Sequence, residues 1–135
     1  MHDADGKVVG VQAIFWDVTE RKRAEADLEQ ERYLLSSLMD NLPDDIYFKD
    51  TRSRFTRINK MLARCLGLND PAEALGKTDA DYFAGEYAQQ ALADEREIMR
   101  SGQPLLDKEE KATWPDGRVT WVSTSKFPCA ALRGK

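Results

Sequence analysis

Residues 17–50 read DVTERKRAEADLEQERYLLSSLMDNLPDDIYFKD, and their order decides the fold. A β-rich run ends at Asp17-Val18-Thr19. A charged helical run follows, Asn41-Leu42-Pro43-Asp44 stops it, and an apolar-aromatic strand begins at Asp45. Thr19 has the chemistry of a helix N-cap. Glu20 puts a negative charge in the first turn, where unpaired N–H groups favour it. Helix is expected from Glu20 to Leu42. Leu28, Leu35 and Leu42 recur every seven residues, with Ala24 and Leu38 on the adjoining seam and Glu31 between those two. This heptad stripe, interrupted by one charge, is the pattern of a short, imperfect coiled coil. Leu34 and Met39 widen the apolar face towards the second half, where the helix should dock on the domain that follows. Pro43 ends it, because proline disfavours helical geometry in the residue before it.

Upstream, Asp3–Lys7 is turn chemistry around Asp5-Gly6. Val8–Val18 carries apolar residues on both parities, as a strand covered on both faces would. Downstream, strands are expected over Asp45–Lys49 and Phe55–Asn59. A short helix should run over Lys60–Leu68 with Gly67 as its stop, and another from Asp70 to Leu75, ended by Gly76. Thr78 or Asp79 should cap the next turn. A longer helix over Gly85–Arg100 turns Tyr87, Ala91, Ile98 and Met99 inward. Pro104–Thr113 and Arg118–Pro128 form a hairpin around Trp114-Pro115-Asp116-Gly117-Arg118. Two strands, several short helices, then long antiparallel strands give an α+β fold with one antiparallel sheet.

These segments resemble the PAS family. Asp17-Val18-Thr19-Glu20-Arg21-Lys22 looks like the end of one PAS domain, and Asn41-Leu42-Pro43-Asp44 with the following strand looks like the start of the next. Tyr47–Lys60, Leu75–Phe83 and the Asp116-Gly117 hairpin with Trp121-Val122 resemble successive parts of that second domain, over about residues 41–128. The resemblance implies a five-stranded antiparallel sheet with helices on one face, its last strand lying in the middle. It divides the chain into a last strand of a preceding domain (1–19), an amphipathic linker helix (20–42) and a PAS domain without its own final strand (43–135). A sheet lacking its central strand has two unpaired inner edges. Val8–Val18 is therefore expected to fill that gap, by strand exchange between two chains of a homodimer, since a helix of ~23 residues is ~35 Å long and makes return to the same domain awkward. The implied role is sensing and dimerisation in a bacterial signalling protein, such as a histidine kinase or a cyclic-dinucleotide enzyme. Asp17 and Thr19 mark the relay to neighbouring domains, and Leu28, Leu35 and Leu38 form the dimer helix.

Composition narrows the chemistry. The chain has 135 residues, 41% hydrophobic and 33% charged, with a net charge of −4. That suits one modest domain with an appendage, and the acidic balance argues against nucleic acid as a partner. No apolar run approaches the ~20 residues that span a bilayer, and Met1 opens no signal peptide, so a cytoplasmic module is expected. Cys65 and Cys129 lack metal-type spacing, and such a setting favours free thiols.

The only histidine is His2. With none between Gly85 and Gly102, the haem ligation known in some PAS domains is excluded. The Asn-Cys-Arg-Phe-Leu-Gln motif of cysteine-linked flavin is also absent, and Cys65 reads as core. No nucleophile–base set and no phosphate-cradling glycine loop occurs, so no enzyme activity is expected. Asp44-Asp45 and Asp79 read as turn and cap, and Glu109-Glu110 as a solvated strand alternating with lysines. What remains is a pocket for an unidentified small ligand between sheet and helices. Phe48, Ile58, Leu62, Tyr82, Ile98, Trp121 and Ser123 are its candidate lining, with Tyr47 and Thr78 as further polar groups. The plainer alternative is that the apolar members only fill the core, and strand parity, which would decide, is open.

Overall fold

The computed structural model describes Gly6 and residues 10–129. Two compact units divide at Leu35/Ser36.

In the first unit, residues 10–18 adopt no regular structure. Val11, Ile14, Phe15 and Trp16 are all largely exposed. The strand expected over Val8–Val18 is not formed there: extended chain becomes a strand only when another edge takes up its N–H and C=O groups. Val8, Val9 and Asp3–Asp5 lie outside the described residues, as does His2. Helix α1 covers Thr19–Asn41, one residue earlier at each end than expected. Thr19 is its first residue rather than the cap: the Val18 carbonyl accepts the first helical bond from the Lys22 amide, and the Thr19 amide donates to Asp17 Oδ1 at 2.8 Å.

In the second unit, β1 (Tyr47–Lys49) and β2 (Phe55–Ile58) pair antiparallel, with Tyr47 opposite Ile58. Asp50 builds their turn, its carboxylate accepting from the amides of Arg52 and Arg54 at 2.9 and 3.0 Å. That lets Ser53 hold φ 60°. Helix α2 (Lys60–Leu66) starts at Asn59, whose side chain accepts from the Leu62 amide, and stops at Gly67, φ 76°. The segment expected as a helix after Asp70 is one 3₁₀ turn, Pro71–Ala74, with a capping box between Asp70 and Glu73. A second 3₁₀ turn spans Asp79–Asp81 with Thr78 at its cap position. Helix α3 covers Gly85–Ser101. It buries Ala88, Ala91 and Ile98, whereas Met99 faces solvent.

Strands β3 (Leu105–Thr113) and β4 (Val119–Lys126) form the second antiparallel pair, with Lys111 opposite Trp121. Among the described residues the platform is thus two two-stranded pieces, β1–β2 and β3–β4, rather than one sheet. The outer edge of β2 is occupied: the Phe55 amide donates to the Lys77 carbonyl, and the Gly76 amide to the Phe55 carbonyl. Among the described residues the other edge of β1 and the second edges of β3 and β4 carry no strand. The core lies under the first hairpin, where Phe55, Ile58, Leu62, Ala63, Leu66, Ala74, Ala112 and Trp114 pack together. Residues 130–135 lie outside the described residues.

Candidate functional site

Strand parity decides which side chains face the interior. Along β4 the inward residues are Thr120, Val122, Thr124 and Lys126, and the outward ones Val119, Trp121, Ser123 and Ser125. On β1, Tyr47 and Lys49 face inward and Phe48 outward. The residues expected to line a pocket are divided by this parity. Trp121, 73% exposed, and Ser123 stand on the outer face, and Phe48 is partly exposed there too. Ile58, Leu62 and Ile98 are buried, and Tyr82 is half-buried with its ring 6.2 Å from Phe55. Aromatic rings pack together inside: Phe83 lies 4.7 Å from Tyr87 and 5.5 Å from Trp114, ring to ring. The seven candidates therefore do not converge on one cavity. Ile58 borders a groove of about 350 Å³ with Met39, Asp40, Arg57 and Leu75. Ile98 borders another, of about 280 Å³, with Asp94, Glu97 and Pro104.

Several inward positions of β1, β3 and β4 are charged. Lys49 donates to Asp79 Oδ2 at 2.5 Å and to Glu95 Oε2 at 2.7 Å, and Lys126 donates to the same Glu95 oxygen at 2.8 Å. The four side chains are only 6–12% exposed. The Lys49 ammonium also lies 4.9 Å from the ring centres of Tyr47 and Phe55. Glu95 Oε1 is buried without a partner among the described residues. Beside this cluster, Lys108 binds Asp94 at 2.5 Å and Glu110 at 3.4 Å, and the Thr124 hydroxyl donates to Glu110. Glu110 is thus turned inward, against the expectation of a solvated pair; Glu109 does face solvent. Burial works to raise the Glu95 carboxyl, but the charges of Lys49 and Lys126 outweigh it and hold the group below its ordinary value. Asp94 behaves alike: desolvation is outweighed by Lys108. The Tyr47 and Tyr87 hydroxyls are pushed well up, first by burial and then by the surrounding carboxylates.

A second node sits where the end of α1 meets the first hairpin. Asn59, fully buried, accepts at Oδ1 from the amides of Ile46 and Leu62, both at 3.1 Å. Its Nδ2 donates to the carbonyls of Met39 and Asp44 at 2.9 and 2.8 Å. Arg57 donates to the Ser36 hydroxyl, and the Lys60 amide to Asp40 Oδ1. Met39 is the one residue of α1 in the buried class. Reading the sequence missed Asn59, since a strand-to-helix Asn looks like any other cap; the signal is its position three residues before Leu62 and just past a strand.

The residues expected to act in the junction helix are placed in plain view. Leu28, Leu35 and Leu38 are 48%, 40% and 62% exposed on α1. Cys65 is half-buried against the core, its thiol 3.7 Å from Asp45 Oδ1. Burial is the main cause that raises its pKa.

A family model for the PAS fold matches residues 39–135. The chain belongs to the PAS family. Solved structures agree on the fold. The VqmA dimer of Vibrio cholerae, described among LuxR-type receptors and in the absence of its target DNA, aligns at 24% identity and TM-score 0.65, over 80% of this chain and 46% of that one. VqmA bound to DPO aligns equally well. A PAS domain from Colwellia psychrerythraea aligns at 15% identity and TM-score 0.61, over 78% and 85% of the two chains. The PAS domain of an HTR-like protein from Haloarcula marismortui aligns at 22% and 0.53, over 77% and 84%. This PAS chain spans about half the length of VqmA. No curated protein matches it. Among the described residues no helix is long and apolar enough to cross a membrane.

Proposed function

We propose that this PAS chain is a non-catalytic sensory and dimerisation module that passes a binding event to neighbouring signalling domains through α1. The observation that carries the reading is the Asn59 node. One buried side chain bonds the backbone of the last turn of α1, the entry to β1 and the first turn of α2. A shift in the hairpin thus reaches α1 through hydrogen bonds rather than through loose contact. Asp17 and Thr19, which set the opposite end of that helix, are the exit of the relay.

The chain acts as a homodimer in this reading. The exposed stripe of Leu28, Leu35 and Leu38 supplies the helical contact, and residues 8–18 are exchanged between copies. The VqmA structures, one described as a dimer and one as bound to DPO, support this as a fold-level parallel only. The acidic balance of this chain supports protein and small-molecule partners over DNA at its own surface. A second reading, a structural spacer that dimerises without sensing, is favoured by the aromatic filling of the interior by Phe83, Tyr87 and Trp114.

Native mass spectrometry tests both at once. A dimer retaining a small molecule supports the sensor, a dimer without one supports the spacer, and a monomer at every concentration refutes both. Leu35→Asp should weaken the dimer at least tenfold; an unchanged dissociation constant removes α1 from the interface.

A further inference from the structure

We propose that the groove between the last turn of α1, β2 and the Pro71–Ala74 turn binds an apolar α-amino acid as its zwitterion, with the carboxylate on Arg57 and the ammonium on Asp40. The site stands without the sensory reading. Its effect on α1 rests on that reading, to which it gives a ligand class.

Hydrogen bonds to the backbone hold both walls of the groove. On one side Asn59 ties the Met39 carbonyl, and with it the last turn of α1, to the start of α2. On the other, the bonds between Phe55 and Lys77 and between Gly76 and Phe55 fix the Pro71–Ala74 turn and Leu75 beside β2. All of these residues belong to the second unit. Met39 and Ile58 are buried at the floor, whereas Leu75 is 52% exposed on the wall. An apolar side chain kept in water there gains from any apolar body that covers it. The volume of about 350 Å³ falls among small-molecule sites, which span about 300–1,000 Å³.

The two charges of the groove are of opposite sign and unpaired. Arg57 stands opposite Phe48 in the β1–β2 ladder, on the outward face, away from the interior carboxylates. One terminal nitrogen donates to the Ser36 hydroxyl, and the other guanidinium donors have no partner among the described residues. Asp40 accepts from the Lys60 amide at Oδ1, 3.1 Å away, and its Oδ2 has no partner among them. Neither side chain belongs to an ion pair of the described residues. Both residues are half-buried. The other covered cations of the sheet, Lys49, Lys108 and Lys126, each bind a carboxylate.

That pairing of charges selects the ligand. A simple anion meets repulsion from Asp40, and a simple cation from Arg57. A zwitterion answers both: its carboxylate takes charge-assisted bonds from the guanidinium, and its ammonium donates to Asp40 Oδ2. Its side chain then lies on Leu75 and over Met39 and Ile58, which favours an apolar one. The bound ligand joins α1, through Asp40, to the first hairpin, through Arg57. It therefore reinforces the link that Asn59 makes between the same two elements.

The test titrates the full chain with L-leucine by isothermal calorimetry, beside isocaproate, which lacks the ammonium, and isoamylamine, which lacks the carboxylate. L-leucine should bind one to one, and each analogue at least ~10-fold more weakly. Arg57→Gln should abolish the preference for L-leucine over isoamylamine, and Asp40→Asn the preference over isocaproate. Both replacements keep a polar group able to make the Ser36 and Lys60 bonds, and far-ultraviolet circular dichroism verifies the fold. Failure of L-leucine to bind up to its solubility limit overturns the site. Binding that neither variant weakens lies elsewhere on the molecule and overturns it as well. Isocaproate bound as tightly as L-leucine overturns the assignment of a zwitterion. Hydrogen exchange at residues 36–41 separates the site from the relay: slower exchange at saturation supports both, and unchanged exchange with binding intact refutes the coupling to α1 alone.

Discussion

Replacing Asn59 by alanine removes four hydrogen bonds with one substitution. Its partners are not equally placed: the bonds to the Leu62 amide and the Met39 carbonyl are buried, and those to Ile46 and Asp44 are partly accessible to water. A buried group left without a partner costs about 1–3 kcal/mol, whereas an accessible one recovers a bond from solvent. The two buried partners alone give about 2–6 kcal/mol. The loss of the α2 cap, worth ~1 kcal/mol, is already contained in the Leu62 part and is not added. For a unit of this size each kcal/mol lowers Tm by ~4–8 °C, so the drop should be at least ~8 °C. Differential scanning calorimetry measures it. Hydrogen exchange at residues 36–41 asks the functional question, because the last turn of α1 loses its tether to the hairpin. Asn59→Asp separates the two halves of the node: it keeps both acceptor bonds but sets a carboxylate against the Met39 and Asp44 carbonyls, so it should also destabilise. A Tm drop below ~3 °C for the alanine variant, with unchanged exchange in residues 36–41, would refute the idea that this side chain couples the helix to the domain.

Acid should destabilise the domain through its interior carboxylates. Asp94 and Glu95 are held below their ordinary values, so the stability they contribute is present above the unfolded values of 3.8 and 4.5 and is lost as pH falls through their lower folded values. Urea titrations below about pH 4.5 should show the decline, and Glu95→Gln should flatten it while costing about 3–5 kcal/mol at neutral pH, since two buried lysines lose their shared counter-charge. The two tryptophans of the second hairpin should differ sharply. Trp114→Ala should cost about 3–5 kcal/mol, and Trp121→Ala about 0.5 kcal/mol or less in the monomer; equal losses by denaturant titration would contradict the parity assigned to β4.

The order of elements was legible because its signals are local: Asp50, Gly67, Asp70 and Gly102 each set a turn or cap within a few residues of themselves. The inner face of the sheet was not. Along 119–126 both parities mix polar and apolar residues, so Trp121 reads as core when Val122 and Thr120 take that side. Nor does any local pattern announce that Lys49 meets Glu95 across 46 residues, or Lys126 meets it across 31. The stretch 8–18 failed for a different reason. Its composition states that it can be a strand, and whether it is one depends on an edge that its neighbours in sequence do not supply.

The shared carboxylate of Glu95 has an evolutionary corollary. Because one acid on α3 answers two bases on strands that do not bond to each other, and Lys49 answers Asp79 as well, positions 49, 79, 95 and 126 form a locked set. Any single drift strands a charge in a dry place, so lineages would be expected to swap all four for neutral residues together or none at all. A collection of relatives sorted by residue 95 should therefore split cleanly at 49, 79 and 126, although those positions lie far apart along the chain.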